Sequence, residues 1–222
     1  MLKYIAALLI SFTIISPGIS QPSPAPQMSP PWEAGKHYFL IDPAQPPGGD
    51  KVDVTEVFNY ACHYCAEFQF MADKIRAGLP AGAEWRYLPA EFQPAWSVFA
   101  RAYYTAQALG ILEKTHQPLF NTIYVDKKIK PNPKDIQELA DFYASYGIKM
   151  QDFLATAQSF AIETKMKRGK SLVKAYGVDG TPSIIVNGKY RITGQSAGSH
   201  ENLQAIVNYL VSKELASAKA NK

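Results

Sequence analysis

The sequence predicts an α/β domain whose sheet is interrupted by a block of helices. Three observations point there. Residues 51–60 (KVDVTEVFNY) alternate with a period of two and hand over to helical spacing at Cys62. Late in the chain, Asn187 and Gly188 stand between two short apolar runs, a strong signal for a strand hairpin. Between these two regions, from about residue 94 to 171, the amphipathic patterns are helical.

Taken in order, the first strand puts Val52, Val54, Phe58 and Tyr60 on one face and Asp53, Thr55, Val57 and Asn59 on the other, and it is expected to be central. From Cys62, Tyr64, Phe68, Met71, Ile75 and Leu79 recur at helical spacing, with Lys74 and Arg76 near the end and Gly78 as the stop. Residues 84–88 read as a second strand ended by Pro89. A helix over 96–109 carries Phe99, Ala100, Tyr103 and Ala106 on one face and stops at Gly110. Pro118 suits the start of a helix running into Asp126, since its missing N–H costs nothing in the first turn. Asn132 and Pro133 suit an N-cap and first helical residue leading through Ile136, Leu139 and Tyr143 to Gly147. A longer helix runs from about Ile162 to Tyr176 and Gly177. Strands over 183–186 and 189–192 follow, and a last helix from near Ser199 packs Leu203, Ile206, Val207 and Leu210.

The N-terminus reads as an export signal. Lys3 precedes an apolar run over 5–15, Pro17 and Gly18 break any helix, and small residues allow cleavage after Ser20. The run is about half of the ~20 residues that span a bilayer, which favours cleavage over a retained anchor. No cysteine stands at its end, so lipid attachment there is not expected. Residues 21–31 hold five prolines and no charge, a composition that cannot build a packed core.

Net charge is only +4, and the basic residues are scattered apart from Lys127 with Lys128 and the run 165–170. The second cluster reads as a solvated helix face, with an anion site as the alternative. Basic arrays interleaved with aromatics are lacking, so nucleic acid is not an expected partner. Cysteine usage is more informative. A bridge between Cys62 and Cys65, the two cysteines of the chain, closes a four-residue loop and adds little stability by restricting the unfolded chain. Chemistry explains the pair better.

Two cysteines separated by His63 and Tyr64 at a helix start bring two sulfurs within disulfide reach. The unpaired N–H groups and positive dipole end of the helix stabilise a thiolate there. Cys62, nearer that field and solvent, is the expected nucleophile, and Cys65 the buried resolving thiol. An illustrative thiol pKa of ~4 would add about three decades of ionisation at pH 7, or ~4 kcal/mol, raising the reduction potential by roughly 90 mV. His63, when protonated, acts in the same direction. A zinc site would need four ligands; there is no second cysteine pair, and His37, His116 and His200 are isolated in sequence. Neither metal nor cofactor is expected.

Glu56 lies six positions before Cys62, on the apolar strand face. Buried there, its carboxyl would be hard to ionise and could accept the proton of Cys65. At the sheet end it would instead be an ordinary solvated group. Pro182 must begin a strand, because it cannot donate to the ladder. With a cis bond after Thr181, the Thr181 backbone could pair with an extended substrate; with a trans bond, Pro182 is a turn residue.

Taken together, V-T-E-V-F-N-Y-A-C-H-Y-C, W-S-V-F-A-R-A-Y-Y-T-A-Q-A-L-G and G-V-D-G-T-P-S-I-I-V-N-G-K-Y resemble the DsbA family of periplasmic dithiol oxidases over nearly the whole chain after the signal. The resemblance implies a thioredoxin-like fold over residues 36–93 and 172–222, with a helical insertion over 94–171, behind a signal at 1–20 and a leader at 21–35. It places the family's acidic residue on Glu56, its nucleophile on Cys62, its resolving cysteine on Cys65 and its cis-proline on Pro182. Two departures bear on redox strength. His63 follows the first cysteine where the family's oxidases commonly carry proline, with Tyr64 in the histidine's place. Thr181 resembles the disulfide isomerases, whose N-terminal dimerisation domain has no counterpart here. The implied partners are unfolded secreted chains with free thiols, bound beside Thr181 and Pro182, and a membrane reoxidase of the DsbB type, with the protein a monomer. The alternatives are a reductase or isomerase using the same cysteines, or a thiol chaperone or metal-binding module without turnover.

Overall fold

The computed structural model describes residues 31–220, so the expected signal and most of the leader lie outside the described residues. Trp32 opens the described fold, its ring edge-on to His37 at 5.3 Å.

A short strand β1 (Phe39–Leu40) precedes β2 (Val52–Phe58), α1 (His63–Ala77) and β3 (Ala83–Pro89). The helical block follows: α2 (Pro94–Ala108), α3 (Leu112–Tyr124), a 3₁₀ turn (Ile136–Leu139), α4 (Ala140–Ala144), α5 (Met150–Ala157) and α6 (Phe160–Ala175). The chain returns to the sheet through β4 (Ser183–Val186) and β5 (Tyr190–Thr193), then closes with α7 (Gly194–Ala197) and α8 (His200–Ala220). The strand order is β1-β5-β4-β2-β3, with β2 and β3 parallel and the other pairs antiparallel.

All seven residues of β2 are buried, so its alternation separates two buried faces rather than an inside from an outside. On one face Val52, Val54, Ile184 and Ile192 pack against Phe68, Met71 and Ile75 of α1 and Leu203, Ile206 and Leu210 of α8. On the other, Val57, Leu88 and Ile185 meet Val173, Tyr176 and Val178. At the C-terminal end of β2, Phe58 and Tyr60 enter a third core with Cys62, Cys65, Phe99, Phe120, Tyr143 and Phe153. The helix α6 crosses between cores, giving Ile162 and Met166 to the helical block and Val173 to the sheet.

Several local expectations are corrected. Pro118 lies inside α3 rather than at its start. Thr115, His116, Leu119, Phe120 and Ile123 form one buried face across it, and that burial outweighs an interior proline's penalty of ~3 kcal/mol. Asn132 caps nothing; Asp135 is the cap, accepting from the Gln137 N–H at 2.9 Å, and a 3₁₀ turn replaces the expected helix start. Tyr64 is 71% exposed, and Leu79 falls beyond the end of α1; buried Gln69 and Ala72 complete the inner face instead. The hairpin has positive φ at both Asn187 and Gly188 as expected, yet three residues separate the paired Val186 and Tyr190. The extra residue, Lys189, gives its carbonyl to the Ile41 N–H at 2.8 Å and its ammonium to Glu214 at 2.6 Å. Glu214, 5% exposed, also accepts from Asn187 at 2.6 Å and Tyr190 at 3.0 Å, tying the hairpin to α8. Burial opposes ionisation of this carboxyl, but its three donors together hold it below the usual carboxylate range.

Candidate active site

The segment between β2 and α1 is fixed before either sulfur is considered. Asn59 is fully buried; its side-chain amide donates to the carbonyls of Ala90 (2.8 Å) and Trp96 (3.1 Å), and its Oδ1 accepts from Ala61 N–H at 2.9 Å. Its backbone carbonyl accepts from Cys62 N–H at 3.0 Å. Tyr60 contributes a hydroxyl contact to His116 Nδ1 at 2.8 Å, so β2, the thiol segment and α3 are held together.

Cys62 is the N-cap of α1, with extended backbone angles and a sulfur that accepts from the Cys65 N–H at 3.2 Å. A sulfur in this position takes the place of the usual Ser or Asp oxygen, and a thiolate suits it better than a thiol. The Cys65 thiol, the Thr181 side chain and the N–H groups of Cys65 and Tyr64 lower the Cys62 thiol to about 6, against an opposing effect of burial. Cys65 is pushed the other way, by burial first, then by its bond to Cys62 and the charges of Cys62 and Glu56. Both are unbonded thiols in this structure, and Cys62 is 7% exposed against 0% for Cys65. The first sulfur is therefore more enclosed than its helix-start position suggests.

Glu56 takes the buried of its two expected placements: it is 0% exposed, opposite Tyr87 on β3 and Ile184 on β4. Neither carboxyl oxygen has a hydrogen-bond partner among the described residues. Burial, then the charges of Cys62 and Asp73, raise its pKa well above the usual range. The Thr181-Pro182 bond is cis, as is Asp42-Pro43. The Cys62 thiol donates to the Thr181 carbonyl at 3.4 Å, while Thr181 Oγ1 is buried without a hydrogen-bond partner among the described residues.

The two residues between the cysteines are on the surface. His63 Nε2 meets Glu67 at 3.0 Å, one turn along the helix, so a charge on His63 has a carboxylate counter-ion rather than acting on Cys62 alone. Tyr64 lines a groove of about 530 Å³ with Phe68, Thr181, Pro182, Ile184 and Leu203. This mostly apolar groove lies between the start of α1, the Thr181–Pro182 segment with the start of β4, and α8. Among the described residues, no cluster of histidine, cysteine and carboxylate side chains is gathered that could hold a metal ion. His116 is instead a core residue, its pKa lowered to about 3 by burial and the nearby Arg76 charge.

The sequence assigns no site role to Asn59, Tyr60, His116 or Tyr124. Tyr124, at the end of α3, reaches the site from the helical block, with its ring 5.4 Å from His63. Only the polar residue immediately before the thiol segment, Asn59, leaves a local signal.

A paired low and high thiol, at a helix start and beside a cis-proline strand, can exchange a disulfide with an external thiol. That chemistry and this sheet define a dithiol–disulfide oxidoreductase. Known proteins agree. The family model described as a DSBA-like thioredoxin domain matches residues 53–207. The thiol:disulfide interchange protein DsbA of Pseudomonas aeruginosa strain PAO1 is 36% identical over 191 residues, covering 85% of this chain and 88% of the relative. Its namesake in Pseudomonas syringae pv. tomato is 36% identical over 199 residues, covering 88% and 91%. Among solved structures, Pseudomonas aeruginosa DsbA superposes with a TM-score of 0.78 at 35% identity, covering 85% of this chain and 97% of that one. DsbA from Xylella fastidiosa gives 0.76 at 32% identity, covering 81% and 95%. The chain belongs to the DsbA-like family, with its thioredoxin-like fold and inserted helices, and is a thiol:disulfide oxidoreductase.

Proposed function

We propose that this protein is a periplasmic oxidase that introduces disulfide bonds into exported polypeptides, with Cys62 as the exchanging sulfur. The observation that carries this reading is the split between the thiols, Cys62 near 6 and Cys65 raised. At pH 7 a thiol lowered from the usual ~8.5 to about 6 gains roughly one decade of ionisation. That is ~1.4 kcal/mol in favour of the dithiol, or about 30 mV towards an oxidant. The effect is a third of that expected from the illustrative thiol above, and the sign is the same.

In the forward reaction a substrate thiolate attacks Cys62 of the Cys62–Cys65 disulfide. The electron pair of the broken bond goes to Cys65, which takes a proton from protonated Glu56. A second substrate thiolate then attacks the substrate's own sulfur in the mixed disulfide, and Cys62 leaves as the stabilised thiolate. Thr181 and Pro182 would hold an extended substrate in the groove, with Tyr64 on its wall and His63, balanced by Glu67, at the rim. The product enzyme carries two electrons, so a reoxidase is required, and a membrane partner of the DsbB type fits that need. We read the working form as a monomer, with the thioredoxin-like part at 36–93 and 172–222 and the insertion at 94–171.

Alkylation tests the assignment. Iodoacetamide should label Cys62 and spare Cys65, with a rate that titrates with a midpoint near 6. Labelling of Cys65 first, or a midpoint in the ordinary thiol range, would reverse it.

A further inference from the structure

Tyr124 Oη is buried and has no hydrogen-bond partner among the described residues. Leaving such a group unpaired costs about 1–3 kcal/mol, so its position calls for an explanation. The residue closes α3 and is packed against the core that contains Cys62 and Cys65. Its ring faces that of His63, the neighbour of Cys62 in sequence. Burial, then the charges of Cys62 and Cys65, push its ionisation upward, so the phenol keeps its proton and can only donate to an anion. Yet neither sulfur is its partner. A donor whose ring lies 5.4 Å from that of His63, packed against the core of Cys62 and bonded to neither sulfur, is placed for an atom attached to Cys62. The next sulfur of a mixed disulfide lies ~2 Å beyond the Cys62 sulfur.

We propose that the Tyr124 hydroxyl is the hydrogen-bond donor to the substrate's cysteine sulfur while that sulfur attacks, is joined to, or leaves Cys62. The inference rests on the exchange reaction described above. When the substrate thiolate attacks, the bond from its sulfur to Cys62 forms and the Cys62–Cys65 bond breaks, with the electron pair passing to Cys65. Tyr124 neither gains nor loses a proton. It lowers the energy of the negative sulfur as it enters, and again when the reverse step releases it. The helical block thereby supplies a polar contact to a site otherwise built on the sheet and α1.

The test compares the wild type with Tyr124→Phe, which keeps the ring and removes one oxygen. Oxidised protein would be mixed with a cysteine-containing peptide and, separately, with the small thiol mercaptoethanol, and mixed-disulfide formation and release followed by stopped flow. Formation and release should both slow, about tenfold and equally for the two thiols. The Cys62 titration midpoint should stay unchanged, and the unfolding temperature should not fall, because the variant removes an unpaired buried hydroxyl. Unchanged rates would overturn the proposal. So would a loss confined to the peptide, which would make a backbone carbonyl the acceptor. A slowing that comes with a raised Cys62 midpoint would also overturn it, because the hydroxyl would then act on Cys62 itself. Peptide mapping of the mixed disulfide formed by the oxidised wild type separates this result from failure of the exchange reading: if the peptide is joined to Cys65 and not to Cys62, the exchange assignment is at fault and not Tyr124.

Discussion

Glu56→Gln is expected to stabilise the fold by about 2 kcal/mol or more at pH 7 while slowing the enzyme. The carboxyl is fully buried, unpartnered and hard to ionise, so the native state either carries an unpaired charge or must hold a proton against solvent. An amide of nearly the same shape removes the charge. The pH dependence follows from the direction of the shift. A carboxyl whose folded pKa is raised stabilises the native state fully below the unfolded value of ~4.3, and that stabilisation is lost as pH rises through the raised folded value. The gap between the two proteins should therefore narrow as the pH is lowered from neutral towards the ordinary carboxylate range. Urea unfolding of both dithiol proteins at neutral and mildly acid pH would show it. Equal stability at neutral pH, or a gap that does not narrow, would mean that Glu56 is solvated or paired. With the proton donor proposed for Cys65 removed, exchange should slow, on the order of 10²-fold for a lost general acid or base. Stability and speed should move in opposite directions, as expected of a buried charge kept for chemistry.

Thr181→Val should make the pair less oxidising and prolong its complexes with substrates. The Thr181 hydroxyl is buried, has no hydrogen-bond partner among the described residues, and lowers the Cys62 thiol. A hydrogen bond to a charged acceptor is worth ~1.5–3 kcal/mol, equivalent to 30–60 mV. The whole ionisation gain at pH 7 from a thiol at about 6 is only about 30 mV, so the loss through ionisation is limited to about that size. Loss of the donor also makes Cys62 a poorer leaving group, so mixed disulfides should persist. A more oxidising variant with fewer trapped complexes would mean the hydroxyl does not serve Cys62.

What was legible in the sequence depended on how local its cause is. The turn at Asn187 and Gly188 is written in two residues that tolerate positive φ, and both adopt it. The thiol pair and the faces of β2 and α8 follow from spacing, which needs no knowledge of neighbours. Pro118 misled because the burial that carries α3 through it is tertiary. The helix α5 and two-residue β1 were missed, the first being one short amphipathic turn pair and the second defined only by its pairing with β5. At the site, Glu56 could be named from its strand face, but whether it was buried depended on Tyr87 and Ile184 beside it. Nothing near Cys62 in sequence announces Tyr124, which arrives from 62 residues further on. The same holds for the pairing of His63 with Glu67, where the spacing allowed a helix contact but the choice of counter-ion is structural.

The most direct measurement is the equilibrium between the Cys62–Cys65 disulfide and glutathione at neutral pH. A lowered Cys62 stabilises the dithiol, so the equilibrium should lie about 30 mV further towards reduced protein and oxidised glutathione than it would with an ordinary thiol at that position. Replacing Thr181 with valine should move it back. A pair that glutathione fails to reduce appreciably, with a potential near thioredoxin's ~−270 mV, would contradict the oxidase reading and leave a reductase with the same fold and the same two cysteines.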